Sequence, residues 1–179
     1  MVSNAGNLVS PSRLVQTIGV KSPTTILEYF SYFEAAYLVH LVPRFSWSPK
    51  AQALAPKKLY IADPGLIRIG SVSYTQNTGA LLENFVYLQL RRTTDDIYYF
   101  SENNHECDFI INPHTPKPQC IQVCHELTLD NQTREIQGLL AALAHFSLSE
   151  GLIITADTTD QIYTHGKKIL VNKGSDPLL

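Results

Sequence analysis

The sequence predicts a mixed α/β protein in two parts: a pair of helices with a hairpin, then a core in the order α-β-β-β-α-β. Three observations predict it. Apolar residues recur at helical spacing in four separate windows, two in each half. Short apolar runs such as "ECDFIIN" (Glu106–Asn112) and "GLIITA" (Gly151–Ala156) have the length and composition of strands. Prolines cluster between these windows, at Pro113, Pro116 and Pro118 for instance. A chain of 179 residues holds one medium domain or two small ones, and the change of pattern divides it into residues 1–66 and 67–179.

The first half opens on Ser10-Pro11, a helix start with serine as cap and proline at the first helical position. Leu14, Val15 and Ile18 share a face, and Gly19 terminates the helix. Ser22-Pro23 repeats the start, and Ile26, Leu27, Phe30, Phe33, Tyr37 and Leu41 follow at helical spacing, with a change to strand within "AYLVHLVPRF". A hairpin pairs Leu38–Phe45 with Lys58–Ala62. Two helices, a short turn and a hairpin describe a winged helix. Its candidate nucleic-acid contacts are Lys21, Thr24 and Thr25 at the start of the second helix, with Arg44, Lys57 and Lys58 reaching phosphates. So few basic residues near the recognition helix suit a protein contact as well as DNA.

In the second half, "TGALLENFVYLQLRR" is a helix directing Leu81, Leu82, Phe85, Val86 and Leu88–Leu90 inward. Strands follow at Asp96–Phe100, Glu106–Asn112 and Gln119–Cys124. "NQTREIQGLLAALAHF" is a helix with Ile136, Leu139, Leu140, Leu143 and Phe146 on one stripe. "GLIITA" is apolar throughout, as in the covered centre of a sheet, and Tyr163 with Lys168–Val171 closes that sheet.

Composition narrows the function classes. Apolar residues make up 44%, enough for a core, while charged residues make up only 17%, which leaves surface for a partner to cover. A net charge of −2 gives no global attraction to nucleic acid or anionic membrane. Cys107, Cys120 and Cys124 suit a reducing, cytoplasmic setting, and no apolar run is long enough to span a membrane. "GVKS" (Gly19–Ser22) lacks the order of a phosphate-binding loop, so no ATP site is expected in these residues. Cys120 and Cys124 on one strand lie about 13 Å apart, too far to share one zinc.

One constellation carries chemistry. An acid in the first core helix, an aspartate in the second strand and acid-x-Lys in the third form a metal-dependent nuclease core, in which two carboxylates hold Mg²⁺ and the lysine stabilises developing charge. Glu83 and Asp108 fill the first two places and are the candidate metal ligands. Gln122 and Cys124 stand where acid and lysine belong. A lysine about 4 Å from an oxyanion contributes roughly 4 kcal/mol at an effective dielectric near 20, or about a thousandfold in rate. Catalysis is therefore expected to be absent or weak. Glu106 and Glu126 are the nearby acids able to substitute, and Arg134 is a candidate partner for a purely structural Asp108–Glu83 pair.

"PKKLYIADPGLI", "TGALLENFVYLQLRR", "ECDFII", "IQVCHEL" and "TREIQGLLAALAHF", in this order, resemble the C-terminal part of bacterial and archaeal AAA-type ATPases, a domain of unknown function with a restriction-endonuclease-like PD-(D/E)xK fold. The resemblance runs from about Ser3 to Val171. Its D-x-G-L matches Asp63 to Leu66, its G-x-x-x-E-N matches Gly79 to Asn84, and its E-x-D-F matches Glu106 to Phe109. Its I-E-V-K becomes Ile121-Gln122-Val123-Cys124, the departure already noted. The resemblance implies a C-terminal fragment with the Walker motifs and ATP in an upstream module. The expected role is a non-catalytic accessory domain that binds DNA or a protein, the alternatives being a Mg²⁺-dependent nuclease and a homo-oligomerisation module.

Overall fold

The computed structural model describes residues 6–66 and 78–176, in a mixed α/β arrangement with two sheets. The chain separates into two compact units, residues 1–76 and 77–179. The expected Asp63-to-Leu66 and Gly79-to-Asn84 motifs flank residues 67–77, which lie outside the described residues.

The first unit runs β1 (Leu8–Val9), α1 (Pro11–Ile18), α2 (Pro23–Ala35), β2 (Val39–Val42), α3 (Pro49–Leu54) and β3 (Lys57–Ile61). Its sheet has the order β1-β3-β2, all antiparallel. Ile26 and Phe30 of α2 pack with Val9, Val39, Leu59 and Ile61 in its core. Both proline-led starts hold: Pro11 and Pro23 open their helices, and Ser22 Oγ accepts from the Thr25 amide at 3.4 Å. Gly19 ends α1 at φ 76°, a left-handed position that suits a residue without Cβ.

The expected hairpin forms, β2 pairing antiparallel with β3, and its connection holds α3, because Ser48-Pro49 supplies another cap and first-turn proline. Two expectations are corrected here. Helix α2 stops at Ala35, so Tyr37 leaves its buried face: it takes φ 54° in the turn and is 79% exposed. Lys58 cannot reach a phosphate, because it is 2% exposed in the central strand β3.

The second unit runs α4 (Thr78–Arg91), β4 (Ile97–Glu102), β5 (His105–Ile111), β6 (Gln119–Val123), α5 (Gln132–His145), β7 (Glu150–Thr155), β8 (Asp160–Thr164) and β9 (Lys167–Lys173). The first six elements have the expected α-β-β-β-α-β order. Among the described residues the sheet is six-stranded, in the order β4-β5-β6-β7-β9-β8. Strands β6, β7 and β9 are parallel, which places the apolar β7 at the covered centre. Leu139, Ala142 and Leu143 of α5 pack against Cys107, Ile110, Cys120 and Ile153. Phe85 is a correction: at 40% exposure it faces away from the core, which takes Asn84, Val86, Tyr87 and Leu90 from α4 instead.

Two local features set the site. Phe100 pairs with Cys107 and Tyr98 with Ile110, so one residue of β4 faces two of β5. That bulge breaks strict alternation and brings Cys107 and Ile110 into the same apolar cluster. Gly138 of α5 sits against β5 so closely that a Cβ there would lie 2.1 Å from the Glu106 carbonyl oxygen.

Candidate functional site

The β5–β6 ladder pairs Ile111 with Gln119 and Phe109 with Ile121. Toward Val123 the side chains take over. The Asp108 amide donates to Gln122 Oε1 at 3.2 Å, and the Val123 amide donates to Asp108 Oδ2 at 2.8 Å. The Cys107 thiol donates to the Ile121 carbonyl at 3.4 Å. Asp108 and Gln122 therefore satisfy the backbone at a fork in the sheet, where unpaired buried amides would each cost about 1–3 kcal/mol.

The network continues into α5. Gln122 Nε2 donates to Glu135 Oε2 at 2.7 Å, and Arg134 donates to Glu135 Oε1 through both Nε and its terminal nitrogen. Glu135 is 4% exposed, with its two oxygens on Gln122 and Arg134. This pairing is what a buried carboxylate requires. The hydrogen bond from Arg134 to Glu135, then their opposite charges, push the guanidinium pKa up.

These groups line a cleft of about 530 Å³. It gathers Glu83 from α4, Glu106 and Asp108 from β5, Gln122 from β6, Glu135 from α5 and Asp130 just before it. Arg134 and His105 are also in its wall. Three of the expected residues, Glu83, Asp108 and Gln122, thus share one cavity. Cys124 does not line it: its side chain joins the apolar cluster with Leu139, Ala142 and Leu143. Burial first, then the negative charge of Glu135 and Asp108, push its thiol up to about 12, so it stays protonated and neutral. Glu126 lies outside the cleft wall.

Glu135 is the residue that sequence reasoning missed. It falls four and eight positions before Leu139 and Leu143, on the buried stripe of α5, but reads in isolation as an exposed first-turn acid. A charged residue on an apolar stripe is the signal that finds it.

Some of the oxygens that a Mg²⁺ ion of the kind the resemblance implies would need are already taken up by internal hydrogen bonds. Asp108 Oδ2 accepts from a backbone amide, Gln122 Oε1 does the same, and Glu135 is held by Gln122 and Arg134. Among the described residues no group of three or more His, Cys, Asp or Glu side chains is arranged around a metal position.

In the first unit Lys21 and Thr24 are exposed, while Arg44 and Lys57 are half-buried. Thr25 is half-buried in the cap of α2 beside Ser22. The exposed face of α2 carries Leu27, Tyr29 and Tyr32.

Fold and site together define an α/β protein with a polar cleft closed by an internal carboxylate–amide network. The family described as a domain of unknown function (DUF8612) matches residues 1–72. An uncharacterized protein of Methanocaldococcus jannaschii is 36% identical over 127 residues, covering 69% of this chain and 27% of that protein. An uncharacterized protein of Haemophilus influenzae is 25% identical over 174 residues, covering 95% of this chain and 42% of that protein. The chain spans less than half the length of these two relatives. No solved structure matches it. Among the described residues no helix is long and apolar enough to cross a membrane.

Proposed function

We propose that this chain is the non-catalytic C-terminal accessory part of a cytoplasmic AAA-type ATPase, joining a winged-helix-like unit to a restriction-endonuclease-like unit whose nuclease site is disarmed. One observation carries the reading: the Gln122 amide joins the Asp108 backbone to Glu135. A metal-binding acid at this place would instead set a second negative charge beside Glu135. The protonated Cys124 thiol, turned into the core, offers no cation where a lysine would act.

The first unit supports a protein partner over nucleic acid. The sheet order β1-β3-β2 around α1 and α2 fits a winged helix, but the exposed residues of α2 mix Leu27, Tyr29 and Tyr32 with Thr24, Glu28, Ser31 and Glu34 and include no cation, and Lys58 is buried. Phosphate contacts would need exposed cations there.

A supercoiled-plasmid assay with Mg²⁺ or Mn²⁺ tests the cleft. Neither the wild type nor Asp108→Ala is expected to nick or linearise DNA. Cleavage by the wild type that Asp108→Ala abolishes would overturn the reading in favour of a nuclease using Glu83 and Asp108, which do share the cleft. Gel shifts at low salt test the partner class, and salt-sensitive DNA binding lost in Lys21→Glu would restore the nucleic-acid reading.

A further inference from the structure

Among the described residues the two sheets end on four edge strands, β1 and β2 in the first unit and β4 and β8 in the second. An edge strand turns alternate amides and carbonyls away from its sheet, where a strand of another molecule can pair with them. Strand β1 is two residues long, and the Ile97 amide of β4 donates back to the Asp95 carbonyl at 3.1 Å. Strands β2 and β8 share a different device.

In β2 the Leu38 carbonyl accepts from the Ala62 amide, so residues 38, 40 and 42 bond to β3, while Val39 and Leu41 turn their backbone groups outward. The outward Leu41 amide donates to Glu34 Oε1 at 3.2 Å, a carboxylate on the last turn of α2. In β8 the two-residue turn His165-Gly166 makes Thr164 and Lys167 a bonded pair, so Gln161 and Tyr163 turn outward. The outward Gln161 amide donates to Asp160 Oδ1 at 2.7 Å. Both bonds are exposed, so burial does not impose them, and water could satisfy either amide. What the carboxylates change is the approach of another strand. It must strip the acceptor from the amide and then lie with a negative charge against its own carbonyls. "VHLV" in β2 and "IYT" in β8 are rich in strand formers and would otherwise suit pairing.

We infer that Glu34 and Asp160 guard these two edges, each keeping its strand from pairing with the same strand of a second copy of this chain. Antiparallel pairing about a two-fold axis would break the guarding bond in both copies at once. The guards do not depend on the state of the cleft, so the plasmid assay and the following experiment fail separately.

Sedimentation equilibrium of the full chain over a range of concentrations tests the guards. Glu34→Ala combined with Asp160→Ala should raise the self-association constant about tenfold or more over the wild type, since pairing no longer breaks two hydrogen bonds. Glu34→Gln combined with Asp160→Asn keeps an oxygen for each amide and should stay nearer the wild type. Glu28→Ala combined with Asp157→Ala removes the same charge from exposed acids off the two edges and should change the constant by less than about twofold. Tyr163→Pro added to Asp160→Ala takes an outward amide from β8 and should return that chain to the wild-type constant, because an edge strand tolerates proline where its amide faces solvent. An unchanged circular dichroism spectrum and unfolding midpoint separate strand pairing from association of unfolded chains. The guards are refuted by a constant that does not rise in the double alanine variant, or by an equal rise in the amide pair or in the Glu28→Ala, Asp157→Ala chain. Association of Asp160→Ala that the proline leaves intact refutes the guard on β8.

Discussion

The two units use polar and apolar residues in opposite ways. The second unit buries Asp108, Gln122 and Glu135 in a hydrogen-bonded chain, and its exposed large apolar residues, among those described, are Phe85, Leu129 and Tyr163. The first unit leaves Leu27, Tyr29, Tyr32, Tyr37, Trp47 and Leu54 at its surface. Buried polar groups are tolerated only when each is paired, so such a cleft resists change. Exposed apolar groups cost little until a partner covers them, so such a face is free to bind. The difference teaches that carboxylates in a cleft can be tied into the fold's own hydrogen bonds.

Five substitutions break or sharpen this contrast. The largest effect belongs to Gly138→Ala, where the new methyl would meet the Glu106 carbonyl and push α5 off β5. It should cost about 3 kcal/mol in the denaturant midpoint. A loss below 0.5 kcal/mol, the size of a neutral surface change, would show that the helix is not pinned there.

Gln122→Glu comes next, at about 2 kcal/mol near neutral pH, because a donor to Glu135 becomes a second carboxylate. The folded variant would hold a proton between the two carboxylates that the unfolded chain releases near its ordinary value. The penalty should therefore grow as pH rises above about 4.3 and shrink as pH falls toward it. A pH-independent penalty would refute the pairing.

The thiols give a smaller effect. Cys120 and Cys124 are each pushed up to about 12, burial being the first cause for both. A raised thiol keeps its proton in the folded state, so its contribution to stability is complete below the unfolded value of 9.0 and falls as pH rises from there toward 12. Each should give a slope approaching roughly 1.4 kcal/mol per pH unit between these two values. Cys120→Ala and Cys124→Ala, titrated by denaturant in turn, separate the two. Smallest is Tyr37→Gly, expected to stabilise by about 1 kcal/mol because φ 54° strains a side-chain-bearing residue. Destabilisation would mean that the exposed ring already packs within the folded chain.

Much of this was legible in the residues. The proline-led helix starts, the α-β-β-β-α-β order and the apolar β7 follow from caps and periodicity. Glu83, Asp108 and Gln122 line one cleft. The illegible parts have local causes. Strand β1 has two residues, too few for any period to register. The bulge in β5 changes which residues face together without changing composition. Glu135 looked like an ordinary first-turn acid until its partners were in place, and Cys124 looked like a site residue until the core claimed its thiol.

The fork between β5 and β6 also does the work of a key. Residues 120–124 are all buried, so an apolar count alone would let β6 slide along its neighbour. A slip by one residue would set Ile121 or Val123 against the Asp108 amide, and neither can accept its proton through a side chain. The amides of Asp108 and Val123 would then be shut away from water with no acceptor, at about 1–3 kcal/mol each. Two polar side chains thus spell out one alignment among several that oil alone could not tell apart.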